Sequence, residues 1–527
     1  MRLNFYDKNS FLYSFTLLAF VMLIFHSEYL YTIQAESIHL QGKAFMLETL
    51  GGEGGLWAWM GSWLTQHFYH PWLGSLILVA LWIAIYFLIL RITGWKDWKK
   101  ALAFIPQLLL LYQFLCLGYW IYYIKTPGYA LIPTLVVLAT CLCTWAVMII
   151  ILKYTKDPEW STAEASRFTT NIQLKKKKRK IALTKCLLFL LFLILLSPKP
   201  RIYSLTLPDN NFYSEMKMYR AIDECRWEDV IEEHRRTKTP TNLMVMYKNI
   251  ALMHSGRLQE MFKTNNCGNR PEAPESLLPK DTLQLSIARI AAPMIYYQYG
   301  QLNYSYQWAM TNSVKHGLSI NALKTMVRCA IMNQEFDLAG RYIVLLKNTR
   351  YHRNWALQQE SLMQSSTRLM QSEEFENIAP LTVDEGNQLD TDNGQCEQWI
   401  LNHFADLLHP ANPKLEEVII TTSLWAKDDI AFDIHFYNYV NAHPNDPIPP
   451  LYQEAAILLC NQENSPITLD NFPFDQFIAD KFNRFVSDYN QLAQMQLPET
   501  ETASRLKTIY GDTYWWYFYF YRDFELY

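Results

Sequence analysis

Three uncharged runs limit what this chain can fold into. Trp72–Leu90 has 19 residues without a charge, and Ala101–Ile124 and Tyr129–Leu152 have 24 each. About 20 apolar residues in helical form cross the hydrocarbon of a bilayer. A helix in water is not apolar on every face for that length. Two shorter runs extend the pattern. Phe11–Phe25 continues through His26, Ser27 and Glu28 to Tyr29-Leu30-Tyr31, and Ile181–Leu196 carries Lys185 in its second turn, from where the amine can snorkel to the adjoining basic loop. The sequence therefore predicts five spans, about 11–30, 72–90, 101–124, 129–152 and 181–196. The first is read as retained, because no small-x-small cleavage site follows it.

Loop charge gives an orientation. Arg2 and Lys8 precede the first span. The second connection carries Arg91, Lys96, Lys99 and Lys100, and the fourth carries Lys153, Lys156, Arg167 and the run Lys175–Lys180. The first and third connections hold one lysine each, Lys43 and Lys125. Positive residues stay on the cytoplasmic side, which places the N-terminus inside and residues 201–527 in the periplasm. The charge follows this division: residues 1–200 have 19 Lys+Arg against 9 Asp+Glu, and the remainder 28 against 41. Beside a span, the basic run reads as a topology determinant on anionic lipid rather than a nucleic-acid site. Within the three uncharged runs Gln113, Pro106 and Pro133 are notable interruptions of the apolar pattern. No row of charged residues marks an ion pathway, so transport ranks third among the functional readings.

The loop from about Thr32 to Pro71 carries the densest motif. After four glycines, Leu56, Trp57, Met60, Trp63, Leu64 and Phe68 recur at helical spacing, which predicts an amphipathic helix over about 55–70 in the membrane interface. Sharper readings use the same loop. His67 and His70 have the i, i+3 spacing of two metal ligands on one helix face, and Glu36, Glu48 or Glu53 could serve as an external carboxylate, as in membrane glycosyltransferases. No third ligand is evident, so no metal is assigned; the plainer reading is an interfacial or re-entrant hairpin that seals the bundle.

Residues 201–527 show helical periodicity without alternating strands. Asn333–Ala339 resembles the inter-helix turn of a tetratricopeptide repeat, and similar turns occur at Cys225–Trp227, Ser255-Gly256-Arg-Leu258, Tyr299-Gly300-Gln-Leu302 and Glu373-Glu-Phe375. Their large residues, Trp227, Leu258, Leu302, Phe336 and Phe375, lie 31, 44, 34 and 39 residues apart. Ala339 takes the small-residue position of a second helix. Further helices are predicted near 396–409, 430–442, 450–461, 473–493 and 502–523. The aromatic cluster Tyr296–Trp308 reads as core packing, and Tyr514–Tyr521 as a last helix capping the array or docking on the membrane. Nine scattered cysteines demand no disulfide framework, Cys225 and Cys329 reading as small buried hydrophobes. No His-Glu-x-x-His, Gly-x-Ser-x-Gly, phosphate loop or Cys-x-x-Cys occurs.

The stretch Gly54-Gly55-Leu56-x-x-Trp-x-x-x-Trp63-Leu64-Thr-Gln-His-Phe-Tyr-His-Pro71-Trp72-Leu-Gly74, with the aromatic C-terminal run, resembles an uncharacterised family of Gram-negative envelope proteins. That resemblance implies N-terminal spans followed by a tetratricopeptide-like region; it supplies no activity and no catalytic residue. The expectation is an all-α protein: a five-span helical bundle over 1–200 and an extracytoplasmic α-solenoid over 201–527. It would be an integral inner-membrane protein presenting a protein- or peptide-binding scaffold to an envelope partner, without nucleic acid, cofactor or catalysis. The runner-up is a membrane enzyme, or enzyme subunit, acting on lipid or glycan through the 32–71 loop.

Overall fold

The computed structural model describes residues 10–96, 99–122, 124–154, 210–238, 240–262, 287–382, 413–460 and 472–520. Every regular element among them is helical. The predicted span 181–196, the basic run 175–180 and the predicted helix 396–409 lie outside the described residues. The chain forms two compact units. The first comprises 1–213, 312–324 and 340–359; the second comprises 214–311, 325–339 and 360–527.

In the first unit, α1 (Ser10–Phe25) and α2 (Ser27–Ala35) meet at His26 with a bend of 66°. They are followed by α3 (Lys43–Gly51), α4 (Gly55–Thr65), α5 (Pro71–Thr93), α6 (Lys99–Leu102), α7 (Ile105–Leu115) and α8 (Ile132–Tyr154). Pro71 opens α5, where its missing N–H costs nothing, and Gly94 ends that helix in the left-handed conformation (φ 66°). Helix α5 packs on α1 and α8, burying Trp82, Ile85 and Ile89. The outward residues are equally apolar: Leu17 is 66% exposed, Leu76 52% and Ile150 52%. An exposed apolar surface of that kind marks a membrane or protein interaction surface.

Two helices are long and apolar enough to cross a membrane, Pro71–Thr93 and Tyr129–Ile150, and a third span results if the bent α1–α2 pair is one. Two or three candidate spans thus stand among the described residues where four of the five were expected, and they give the chain a membrane association. The run 101–124 is not one helix. It breaks after Leu102, continues as the 11-residue α7, and tightens to a 3-10 turn at Gly118–Tyr122, with Gly118 at φ 51°. At 1.5 Å per residue α7 covers only about 16 Å. Hydropathy measures transfer into lipid and does not register the breaks at Phe104 and Gly118.

The second unit holds the rest of α9 (Asn210–Asp223), then α10 (Trp227–Arg236), α11 (Asn242–His254) and α12 (Ile287–Gln298). It also holds residues of α13 (Leu302–His316), α14 (Ile320–Met332), α15 (Phe336–Lys347) and α16 (Arg353–Leu362), followed by α17 (Ser366–Met370) and α18 (Glu373–Glu376). The C-terminal helices are α19 (Pro413–Ala426), α20 (Asp429–Ala442), α21 (Pro450–Leu459), α22 (Gln476–Gln494), α23 (Glu499–Tyr510) and α24 (Tyr514–Phe520). The predicted helix 502–523 is two helices, parted by a turn at Gly511.

Four of the five turns singled out in the sequence share one geometry. Cys225, Gly256, Gly300 and Gln334 are left-handed, with φ of 55°, 68°, 75° and 61°. The next N–H donates five residues back: Arg226 to Ala221, Arg257 to Leu252, Gln301 to Tyr296 and Glu335 to Ala330, at 2.7–2.9 Å. This is the Schellman closure of a helix C-terminus. In each, the large residue that opens the next helix follows two positions after the left-handed one. The fifth turn differs: Ser372 precedes a single helical turn, and Phe375 is fully buried.

Arg328 of α14 sits almost buried between two carboxylates. It donates to Asp223 Oδ1 at 2.6 Å and to Glu374, and its guanidinium lies over the Tyr297 ring, 5.9 Å from the centroid. The C-terminal aromatic run is core: Trp515 is fully buried and donates to Glu454 O at 2.8 Å, and Tyr517 donates to Trp425 O at 2.9 Å. Helix α21 packs on both α22 and α24, so the last four helices close on themselves.

Replacing Arg328 by Met leaves two low-exposure carboxylates without their cation. We expect a loss of about 3–5 kcal/mol in denaturant unfolding of the full-length protein in detergent. Adding Asp223→Asn and Glu374→Gln should recover most of it; no recovery would mean that the arginine acts through packing alone.

Candidate functional site

The site of interest belongs to the first unit and starts from the end of α2. Its last turn buries Gln34, and Glu36 follows at the C-cap. Helix α4 then turns its small residues inward: Ala58, Gly61, Ser62 and Thr65 are buried, while Leu56 and Trp63 are 51% and 46% exposed. The reason is a backbone contact. A Cβ on Gly61 would lie 2.6 Å from Gly128 O, and one on Gly128, already at φ +68°, would lie 2.0 Å from Ser62 N. Only glycine fits both places. Gly128 N–H also donates to Ser37 Oγ at 3.1 Å, which ties the segment after α2 to the same point.

The helix expected over 55–70 ends at Thr65 and tightens into a 3-10 turn at Gln66–Tyr69. Phe68 therefore faces inward and is fully buried, whereas His67 presents its ring to residues far along the chain. Gly54 is the left-handed N-cap of α4, Gly55 begins it, Trp57 and Leu64 are half-buried, Pro71 begins α5, and Trp72 is 58% exposed. In the second unit Gly256 and Gly300 form turns, Leu258, Leu302 and Ala339 are buried, and Trp227 is partly buried. Phe336 is 42% exposed, because it begins its helix with the ring outward.

A narrow cleft lies among Gln34, Ser37, His39, Ser62 and Gln66 on one side and Thr349, Arg350, Tyr351 and His352 on the other. Gln34 Nε2 lies 2.9 Å from His352 Nε2, His67 Nδ1 lies 2.8 Å from Tyr351 Oη, and Gln41 N–H donates to Asn348 O at 2.8 Å. Tyr69 stacks on Tyr351 at 5.1 Å, and His70, which is exposed, meets the same ring edge-on.

The bonds fix proton positions. Ser62 Oγ donates its one hydrogen to Trp59 O at 3.0 Å, so His39 Nδ1, 3.0 Å from Ser62 Oγ, carries the proton. His39 Nε2 is then the acceptor end. Burial, helped by the positive field of His67, holds His39 down to about 4, and burial with Arg350 lowers His67. Both rings are neutral at neutral pH. Among the described residues no three His, Cys, Asp or Glu side chains are placed to hold a metal ion, and His67 is engaged by Tyr351 rather than paired with His70.

Of the three carboxylates weighed from sequence, Glu48 and Glu53 are exposed. Glu36 is partly buried, accepts from Asn321 Nδ2 at 2.6 Å, and is pushed up to about 7 by burial, against the hydrogen bonds from Asn321 and Ser319. The 349–352 and 319–321 segments carry no motif that announces them; their partners lie some 285 to 318 positions earlier. The only signal is the run Arg350-Tyr351-His352, three recognition-type side chains together.

Because the folded pKa of Glu36 is raised, the folded state keeps a proton that the unfolded chain loses above about 4.5. Stability should therefore fall as pH rises from about 4.5 to about 7 and then level off. Glu36→Gln should melt at the wild-type temperature near pH 4.5 and above it at pH 8. Parallel melting curves across that range would contradict a protonated Glu36.

The profile of a family of unknown function (DUF6057) matches residues 5–124 and 108–521. Comparisons with curated proteins and with solved structures returned no match.

Proposed function

The chain belongs to that family, and we propose that it is an integral envelope-membrane protein whose first loop, closed by residues 349–352, holds the polar headgroup of a lipid or lipid-linked glycan. The observation that carries this is the convergence of Gln34, His39, Gln66, Arg350, Tyr351 and His352 on one cleft. A loop that merely sealed the bundle would have no use for so many polar groups, because each must be stripped of water. The cleft lies between the end of α2 and the start of α5 in sequence, whereas Arg91, Lys96, Lys99 and Lys100 cluster at the far end of α5. With positive residues inside, the cleft opens on the periplasmic face of a bacterial inner membrane. Leu56 and Trp63, exposed on α4, are the residue types that rest at a lipid interface.

A second reading keeps the second unit as a tetratricopeptide-like surface for an envelope protein or peptide. It is favoured by the recurrence of one Schellman turn at Cys225, Gly256, Gly300 and Gln334, since repeat arrays are built from repeated hairpins. The two readings are compatible, with one unit anchoring and sampling the membrane and the other presenting helices.

An alkaline phosphatase fusion after residue 53 should be active and one after residue 96 inactive; the reverse pair would put the cleft in the cytoplasm. Native mass spectrometry of the full-length protein from mild detergent should show retained envelope lipid. His39→Ala and Tyr351→Phe should each strip that lipid at least about tenfold without lowering abundance. An unchanged lipid profile in both variants would remove the headgroup reading.

A further inference from the structure

The cleft is unbalanced in two ways that together describe a ligand. The first is charge. Arg350 is exposed at the cleft, its guanidinium 5.8 Å from the Tyr351 ring centroid, and it pairs with no carboxylate among the described residues. No Asp or Glu lines the cleft; the other titratable lining groups are His39, Tyr351 and His352, and His67 lies beside them on Tyr351. An arginine fork with no lining carboxylate beside it is set to receive an anion, phosphate above all.

The second imbalance is in hydrogen bonding. Gln34 is 4% exposed and Gln66 8%, and the amide oxygen of each is buried without a partner. The other ends are committed: Gln34 Nε2 to His352 and Gln66 Nε2 to Trp63 O at 2.8 Å. Buried acceptors of this kind are normally satisfied. Both residues line the cleft, so a bound group that satisfied them would have to bring O–H or N–H donors.

We propose that the cleft selects a phosphorylated polyol, its phosphate on Arg350 and its hydroxyls donating to Gln34 and Gln66. This rests on the headgroup reading above and narrows it. A glycerol-phosphate lipid headgroup and a soluble polyol phosphate share that chemistry, and the test separates them. A zwitterionic choline headgroup fails on both counts, having no hydroxyl and no net negative charge.

The experiment is isothermal titration of the full-length protein in lauryldimethylamine oxide micelles, which carry neither phosphate nor hydroxyl. The probes are dihexanoyl phosphatidylglycerol, dihexanoyl phosphatidate, dihexanoyl phosphatidylcholine and glycerol 3-phosphate. Phosphatidylglycerol should bind about tenfold or more tighter than phosphatidylcholine. Arg350→Gln should weaken both anionic lipids by about tenfold or more, as expected for a charge-assisted bond. Gln34→Leu should weaken phosphatidylglycerol and leave phosphatidate nearly unchanged, which general damage would not do. Glycerol 3-phosphate binding as tightly as phosphatidylglycerol would keep the phosphorylated polyol and identify it as soluble rather than lipid-borne. Equal binding of glycerol and choline lipids, with Arg350→Gln silent, would overturn this inference while the headgroup reading stands. If none of the four probes binds, both fall.

Discussion

The first unit depends on two stretches of backbone touching. Gly61 and Gly128 approach so closely that neither accepts a Cβ, and the contact places Ser62 where it anchors His39 and places Gly128 N–H on Ser37. Ser37, His39 and Ser62, on one side of the cleft, are therefore referenced to one point. A methyl group there would not cost one local contact; it would push the two segments apart, and the bonds they hold, His39 Nδ1 to Ser62 Oγ at 3.0 Å and Gly128 N–H to Ser37 Oγ at 3.1 Å, do not survive that.

What this geometry holds in place is costly for a membrane protein to keep. Two glutamine oxygens are buried without partners, a carboxyl group is partly buried beside them, and two imidazoles are held neutral. Buried polar groups are tolerated where something outside the fold rewards them. The contrast with the second unit is instructive. There the buried charge of Arg328 is met by two carboxylates and an aromatic face, a complete set that asks for nothing further.

Much of this architecture was legible in the sequence, and the limits have physical causes. The uncharged runs 72–90 and 129–152 correspond to long helices because nothing interrupts them. The run 101–124 looked the same to a hydropathy argument and is broken, since the helix stops at Ala103-Phe104 and again before Gly118 without a change in polarity. Turns at Gly256 and Gly300 could be read from glycine; Cys225 and Gln334 adopt the same left-handed conformation with residues that do not advertise it. The glycine-rich loop was visible as a motif, but its reading as a simple apolar face was incomplete: in α4 the small residues face inward and Leu56 and Trp63 outward. The cleft itself was not legible in the sequence. His67 and His70, singled out there, touch Tyr351 without lining the cleft, and Glu36 only neighbours its residues in the chain, while Arg350, Tyr351 and His352 come from a part of the chain that only three-dimensional folding brings back.

The arginine of the second unit has a consequence in time. Asp223 is made 105 residues before Arg328, and Glu374 a further 46 after it. At about 5–20 residues per second of synthesis, roughly 10–30 s pass between the first acid and the last. Through that interval the nascent segment around Asp223 must stay hydrated, because burying it early would strand a charge. The α10–α11 hairpin closes over short distances and can form at once, but the surface that later receives Arg328 has to wait. A newly made chain therefore carries an open, half-built face for a period long compared with helix formation, and it is during that period that the protein would most need a holding chaperone.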